Sequence, residues 1–252
     1  MKKWIVGCLM AVGLVSQAVA AGSNFPMDKA PKLTNDMSAL QSGAKTFVNY
    51  CLSCHSASFF RYNRLTEIGL TERQIRENLM FTSERVGDTM KAAINPVQAK
   101  EWFGANPPDL TLVARSRAAI GGHSGPDYLY TLLRTYYRDD TKITGWNNKA
   151  FEAIGMPNPL WELQGERKPI YETVTVGGHE TQVLRGWEQV KPGTMSAAEY
   201  DRTVAELVAF MEWMAEPNRN DRVRLGVLVL LFLGVFTIIA WRLNAAFWKD
   251  IK

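Results

Sequence analysis

Residues 225–241, Leu-Gly-Val-Leu-Val-Leu-Leu-Phe-Leu-Gly-Val-Phe-Thr-Ile-Ile-Ala-Trp, carry no charge. A helix over them reaches roughly 25 Å at about 1.5 Å per residue, and its flanks extend it to bilayer thickness. The alternative, a buried core helix, would not need so uniform an apolar surface. Trp241 and Trp248 suit the membrane–water interface, and Arg242 can reach past it to water. The run predicts one transmembrane helix over 219–244, with 245–252 as a short tail. Arg219, Arg222 and Arg224 flank one end, and Arg242, Lys249 and Lys252 the other, so charge alone does not orient it.

The N-terminus supplies the orientation. Met1-Lys2-Lys3 opens a short apolar stretch that closes on the small-x-small pattern Ala18-Val19-Ala20. This reads as a signal peptide over 1–20, too short to span a bilayer. Residues 21–218 are then expected in the periplasm of a bacterium, tethered to the inner membrane, with the tail cytoplasmic. The formal net charge of +4 comes from the chain ends: within 21–218, 21 Lys and Arg stand against 23 Asp and Glu. A nucleic-acid partner is not expected, since its basic residues would cluster on the folded domain. Lipid is expected around the anchor.

The chain has three cysteines, and Cys8 leaves with the signal peptide. The remaining pair forms Cys51-Leu52-Ser53-Cys54-His55, the C-x-x-C-H pattern of haem attachment. Two thiols about one helical turn apart can each add to a haem vinyl group. The adjacent His then lies beneath the ring as the proximal iron ligand. A zinc site would need more ligands than His123 and His179 supply, and a thioredoxin-like motif would sit in a βαβ pattern absent here. One covalently bound haem c is expected. No acid–base or nucleophilic catalyst is needed, because the cofactor performs the redox step.

Around this motif the body reads as mainly α, with long loops. Residues 21–37 form a polar, Pro-bearing lead-in. Phe47, Cys51 and Cys54 fall at helical spacing. Helices are predicted over Leu70–Met80, with Leu70, Ile75 and Leu79 inward, and over Gly125–Tyr137. Ile170–Val176 and Thr181–Leu184, around Gly177-Gly178, predict one small β-hairpin. Ser196 and Glu199 have the spacing of a capping box. The helix they open carries a stripe of Tyr200, Val204, Leu207, Val208, Met211 and Met214, and stops at Pro217.

A six-coordinate electron carrier needs a second axial ligand. The mature candidates are His123, His179 and eight Met residues. Met211 and Met214 sit on or near the helix stripe and Met80 ends a helix, so all three read as core. Met27 and Met37 belong to the lead-in. Met156 is placed differently, in Ala153-Ile-Gly-Met-Pro-Asn-Pro159, where Gly allows close backbone approach and the prolines stiffen the loop. Met156 is the leading candidate, with Met195, Met90, His123 and His179 left open.

Further segments share an order along the chain: Arg61-Tyr-Asn-Arg-Leu65, Asn106-Pro-Pro-Asp-Leu-Thr111, Ala153-Ile-Gly-Met-Pro157, Gly193-Thr-Met-Ser196 and Trp213-Met-Ala-Glu-Pro217, followed by the anchor. With Cys51–His55 they resemble the cytochrome c1 family, the haem c subunits of the cytochrome bc1 complex, over nearly the full length. The resemblance implies a class I cytochrome c-like haem domain with His55 and Met156 as axial ligands. It also implies cofactor contacts at Pro108 and at an Arg that pairs with a haem propionate. Arg117 is the preferred match over Arg115, and an Arg fork suits a carboxylate in any case. The implied partners are cytochrome b, a Rieske iron–sulfur protein as donor and a c-type cytochrome as acceptor. The segment Ala118-Ala-Ile-Gly-Gly-His-Ser-Gly125 and the scarcity of acidic clusters depart from mitochondrial members. Two rival readings stand beside this one: a free-standing membrane-tethered carrier, and a haem sensor or enzyme with an open sixth position.

Overall fold

Two compact units emerge in the computed structural model: the chain up to Pro31 together with Ala114–Val208, and Lys32–Val113 together with the chain from Ala209 onward. The structure describes residues 25–119, 122–176 and 179–249. The expected signal peptide, Cys8 and the Gly177-Gly178 turn lie outside them.

The unit that holds the C-x-x-C-H motif begins with α1 (Met37–Thr46). Asp36 caps it by accepting the Ala39 N–H at 3.1 Å. The helix then widens into a π turn, Phe47–Cys51, in which the Leu52 N–H reaches back to the Phe47 carbonyl at 3.1 Å. Helical spacing gave no sign of this widening. After the motif come β1 (Ala57–Arg61), a 3-10 helix (Tyr62–Ile68) and α2 (Glu72–Asn78). The helix expected over Leu70–Met80 is thus shorter, because the Thr71–Gln74 capping box fixes its start. Ile75 and Leu79 are buried, whereas Leu70 is half-buried. Next are β2 (Thr89–Met90), antiparallel to β1, and α3 (Pro96–Phe103), capped by Asn95 with Pro96 at its first position. Phe47, Phe60, Phe210 and Trp213 form an aromatic core.

In the chain order, α4 (Val113–Ser116) leads into the other unit, which contains α5 (Gly125–Arg134). A Cβ at Gly125 would run into the Ala114 carbonyl, so only glycine lets α5 start there. The helix expected to run to Tyr137 ends at Arg134, because Tyr136–Arg138 (β3) turns to pair with Trp146–Asn148 (β4). After α6 (Trp161–Gln164) follow β5 (Gly165–Val176) and β6 (His179–Pro192). This is the expected hairpin, but longer. Its added residues, among them Arg167, Lys168, Glu188 and Gln189, are too polar to read as strand. The Arg167 guanidinium donates to the carbonyls of Arg134 and Tyr136, the open C-terminal end of α5, and lies 4.0 Å from the centre of the Trp187 ring. The single β element expected is also corrected: the described residues hold three two-stranded sheets. Two of them use strands of two to five residues, too short for an alternating pattern to register.

The lead-in, expected to be loose, is docked in this unit. Asp127 on α5 accepts from Lys29 Nζ at 2.8 Å and the Ala30 N–H at 2.9 Å, and Thr131 Oγ1 accepts the Asp28 N–H at 2.8 Å. Met37, assigned to the same lead-in, instead opens α1.

Ser196 and Glu199 form the expected reciprocal cap of α7 (Ala197–Ala215). Every residue of its predicted stripe is buried. Beyond Pro217, α8 (Arg219–Phe247) has a mean hydropathy of 2.6 over its most apolar window and no buried residue. At about 1.5 Å per residue its length is roughly 44 Å, enough to cross a bilayer.

Candidate functional site

The π turn delivers the motif. The Cys51 carbonyl accepts the N–H of Cys54 at 3.1 Å and of His55 at 2.8 Å, so the chain wraps one turn around it. Cys51 and Cys54 are not joined in a disulfide. Burial, reinforced by the neighbouring Cys54, pushes the Cys51 thiol up to about 12.

The His55 ring is oriented by a hydrogen bond, its Nδ1 lying 2.8 Å from the Pro108 carbonyl oxygen. A carbonyl only accepts, so Nδ1 carries the proton and Nε2 keeps its lone pair. Burial lowers the imidazole pKa against the opposing pull of the Pro108 bond and the Asp109 charge, which favours the neutral, ligating form.

Two straps hold the motif. On one side Leu110 N–H donates to the Ser56 carbonyl at 2.8 Å, Ser58 N–H to Asp109 Oδ2 at 2.7 Å and Phe59 N–H to Thr111 Oγ1 at 3.3 Å. On the other, the N–H groups of Ala92, Ala93 and Ile94 donate to Ser56 Oγ, the Leu52 carbonyl and the Ser53 carbonyl at 2.8, 3.2 and 3.2 Å. Sequence reading names Pro108 but gives Asp109, Ser56 and Thr111 no role. The signal available is Asp followed two residues later by Thr, the mark of a side chain that folds back on its own loop.

The remaining candidates lie in the other unit. Met156 is half-buried on a loop pinned on both sides. Before it, Ala153 takes a left-handed backbone (φ 57°) and donates its N–H to Asn147 Oδ1 at 2.9 Å. After it, buried Asn158 accepts from the Leu160 N–H at 3.0 Å and donates to Gln164 Oε1 at 2.7 Å. The alternatives are otherwise engaged. Met90 is fully buried in its own unit, as core. Met195 Sδ accepts the Thr203 hydroxyl at 3.6 Å. His123 stacks on Tyr128 at 5.7 Å. The His179 side chain lies outside the described residues. Arg115 and Arg117 are both exposed, and the Arg117 guanidinium sits 5.8 Å from the centre of the Tyr128 ring.

Among the described residues no three His, Cys, Asp or Glu side chains gather as metal ligands, so a zinc site has no ligand set there. A c-type haem does fit the residues present. The two thiols within one turn and the neutral imidazole with its Nε2 lone pair directed by Pro108 are the donor set it needs.

Comparison with known proteins agrees. The sequence matches the profile of the "Cytochrome C1 family" over residues 28–168 and 187–251. It is 43% identical over 93% of its length to a protein of Nitrosomonas europaea named "Ammonia monooxygenase gamma subunit", covering 92% of that chain. It is 39% identical over 92% of its length to the cytochrome c1 of Allochromatium vinosum, covering 93% of that protein. To the cytochrome c1 of Rhodospirillum rubrum it is 28% identical, over 98% of this chain and 95% of the other. With one helix among the described residues long and apolar enough to cross a membrane, and the family profile spanning most of the body and that helix, this chain belongs to the cytochrome c1 family, the haem-bearing electron-transfer subunits of the cytochrome bc1 complex.

Proposed function

We propose that the chain is the subunit of a quinol–cytochrome c oxidoreductase that passes electrons from a Rieske iron–sulfur protein to a c-type cytochrome. It does so beside cytochrome b, on the periplasmic side of a bacterial inner membrane. The observation that carries this reading is the His55 imidazole, its Nδ1 held by the Pro108 carbonyl, directly after the Cys51 and Cys54 pair. One bound haem c supplies a one-electron redox couple. Cys51 and Cys54 would tether it through thioethers, His55 Nε2 and Met156 would donate to its iron, and Arg117 would pair with a propionate. A thioether is a weak donor that favours ferrous iron and holds the potential high. The domain division that goes with this function is a signal peptide over 1–20, a haem domain over 21–218, an anchor over 219–244 and a cytoplasmic tail over 245–252.

The relative named after ammonia monooxygenase supports a second reading, in which the chain serves such an enzyme. That protein and the Allochromatium vinosum cytochrome c1 align over comparable shares of this chain, so similarity alone does not separate the two assemblies. Purification from membranes in mild detergent does. The proposal expects the chain to co-purify with a cytochrome b and to stain for haem on a denaturing gel. Loss of the stain in the Cys51→Ala, Cys54→Ala double variant shows covalent attachment. A chain that runs alone, or with ammonia monooxygenase subunits, refutes the assignment.

A further inference from the structure

Among the described residues one hydrogen bond orients the His55 ring, and its acceptor is a backbone carbonyl on a loop. What fixes that loop therefore fixes the imidazole. Leu110 and Thr111 run alongside Ser56–Phe59, and the Asp109 carboxylate ties the two segments together, with Thr111 bonded to it. Its Oδ2 accepts the Ser58 N–H at 2.7 Å from across the chain. Its Oδ1 accepts both the Thr111 N–H at 2.9 Å and the Thr111 hydroxyl at 2.6 Å. Thr111 Oγ1 in turn accepts the Phe59 N–H at 3.3 Å. Asp109 directly follows Pro108, and Ser58 lies three residues after His55. Slack at Asp109 thus changes the relation between the Pro108 carbonyl and the His55 ring with little chain between to absorb it. Asp109 also brings a formal negative charge near the ring, which bears on His55 electrostatically.

We infer that Asp109 is a positioning residue for the proximal imidazole: its carboxylate fixes the register in which the Pro108 carbonyl meets His55, and so tunes the donor strength of that imidazole. The inference rests on His55 as the proximal ligand and adds a determinant of its strength. A proton drawn toward a well-placed acceptor gives the ring more imidazolate character and makes it a stronger donor to ferric iron. Loosening the acceptor weakens that donor. Removing the Asp109 charge acts in the same direction, since nearby negative charge favours the ferric state. Both effects predict a higher potential.

The test uses the full-length haem-loaded chain in detergent, in wild type, Asp109→Asn, Asp109→Glu and Thr111→Val. Two quantities are read: the reduced-to-oxidised ratio at a fixed ambient potential, and hydrogen exchange of the His55 Nδ1–H in the reduced protein. Asp109→Asn is expected to raise the ratio several-fold and to speed Nδ1–H exchange. Asp109→Glu keeps the charge but displaces the carboxylate, and is expected to speed exchange with a smaller rise in the ratio. Thr111→Val leaves Asp109 in place, removes its shortest bond and is expected to shift both readouts modestly in the same direction. Should the Asp109 variants fail to fold, Thr111→Val still decides. A lower melting temperature with both readouts at wild-type values means Asp109 only holds the loop together, and overturns the inference. A wild-type reduced protein with no iron-bound His55 signal refutes the ligand reading itself, before any variant is made.

Discussion

The rings of Phe47 and Phe210 meet with centroids 5.5 Å apart, tying the π turn that ends at Cys51 to the helix that precedes the membrane anchor. Both are fully buried, and Phe60 and Trp213 close around them. The turn that delivers Cys51 and Cys54 is therefore held by an apolar core.

Phe210→Ala empties the middle of that cluster. Truncating a buried Phe costs on the order of 3–5 kcal/mol. A fall of that size in the unfolding free energy is expected from denaturant titration, with less haem-stained protein accumulating in cells. Less than about 1 kcal/mol would mean that the cluster is not the support described.

The docked lead-in predicts an acid-labile contribution to stability. Burial alone would raise the Asp127 carboxyl, but the Lys29, Ala30 and Ser124 bonds outweigh it and hold it at about 2, against an ordinary 3.8. A carboxyl depressed in the folded state stabilises fully above its unfolded value and loses that contribution as pH falls through the folded one. Wild type should be more stable than Asp127→Asn by a constant margin at pH 5–7, narrowing from about pH 4 toward pH 2. Denaturation midpoints measured across that range check it, and a margin independent of pH contradicts it.

Truncation after Pro217 removes α8 and, among the described residues, severs polar contacts that include Asn220 to Asn35 and the pairs of Arg219 with Glu212 and Arg222 with Glu216. Such surface pairs contribute little. A soluble periplasmic protein with an unchanged haem spectrum is expected. Retention in the membrane after a high-salt wash would reveal a second point of attachment in the body.

Sequence reading succeeded where a feature is written in local chemistry. The α8 span, the Ser196–Glu199 cap and the α7 stripe depend on residues a few positions apart. It fell short where partners are distant. Tyr136–Arg138 pairs with Trp146–Asn148 through strands too short to alternate. Arg167 reads as a polar break in a strand, yet it caps a helix ending 33 residues earlier. The π turn at Phe47–Cys51 has the composition of an ordinary helix. Within the candidate site, the Cys and His of the motif stand out in the sequence because the C-x-x-C-H spacing is local. Pro108 was named through resemblance, but its contact, a carbonyl turned to His55 Nδ1, depends on the Asp109 and Leu110 bonds to residues some fifty positions away.

Met156 carries the sharpest test of the electron-transfer account. Its loop is pinned by Asn147 and Asn158 on either side, leaving the side chain half-buried where Met90, Met211 and Met214 are packed away. Met156→Leu keeps the volume and removes the sulfur, a swap that usually costs under about 1.5 kcal/mol. Axial-ligand identity sets haem potentials over about 0.8 V, so losing a thioether should lower this one by on the order of 100 mV or more. The measurement is a redox titration of the variant complex with its ferric absorption spectrum and quinol-driven turnover. The account predicts an attached haem, loss of the weak long-wavelength band of Met–iron ligation, a lowered potential and collapsed turnover. A variant that keeps the band, the potential and the turnover of wild type would show that another residue binds the iron.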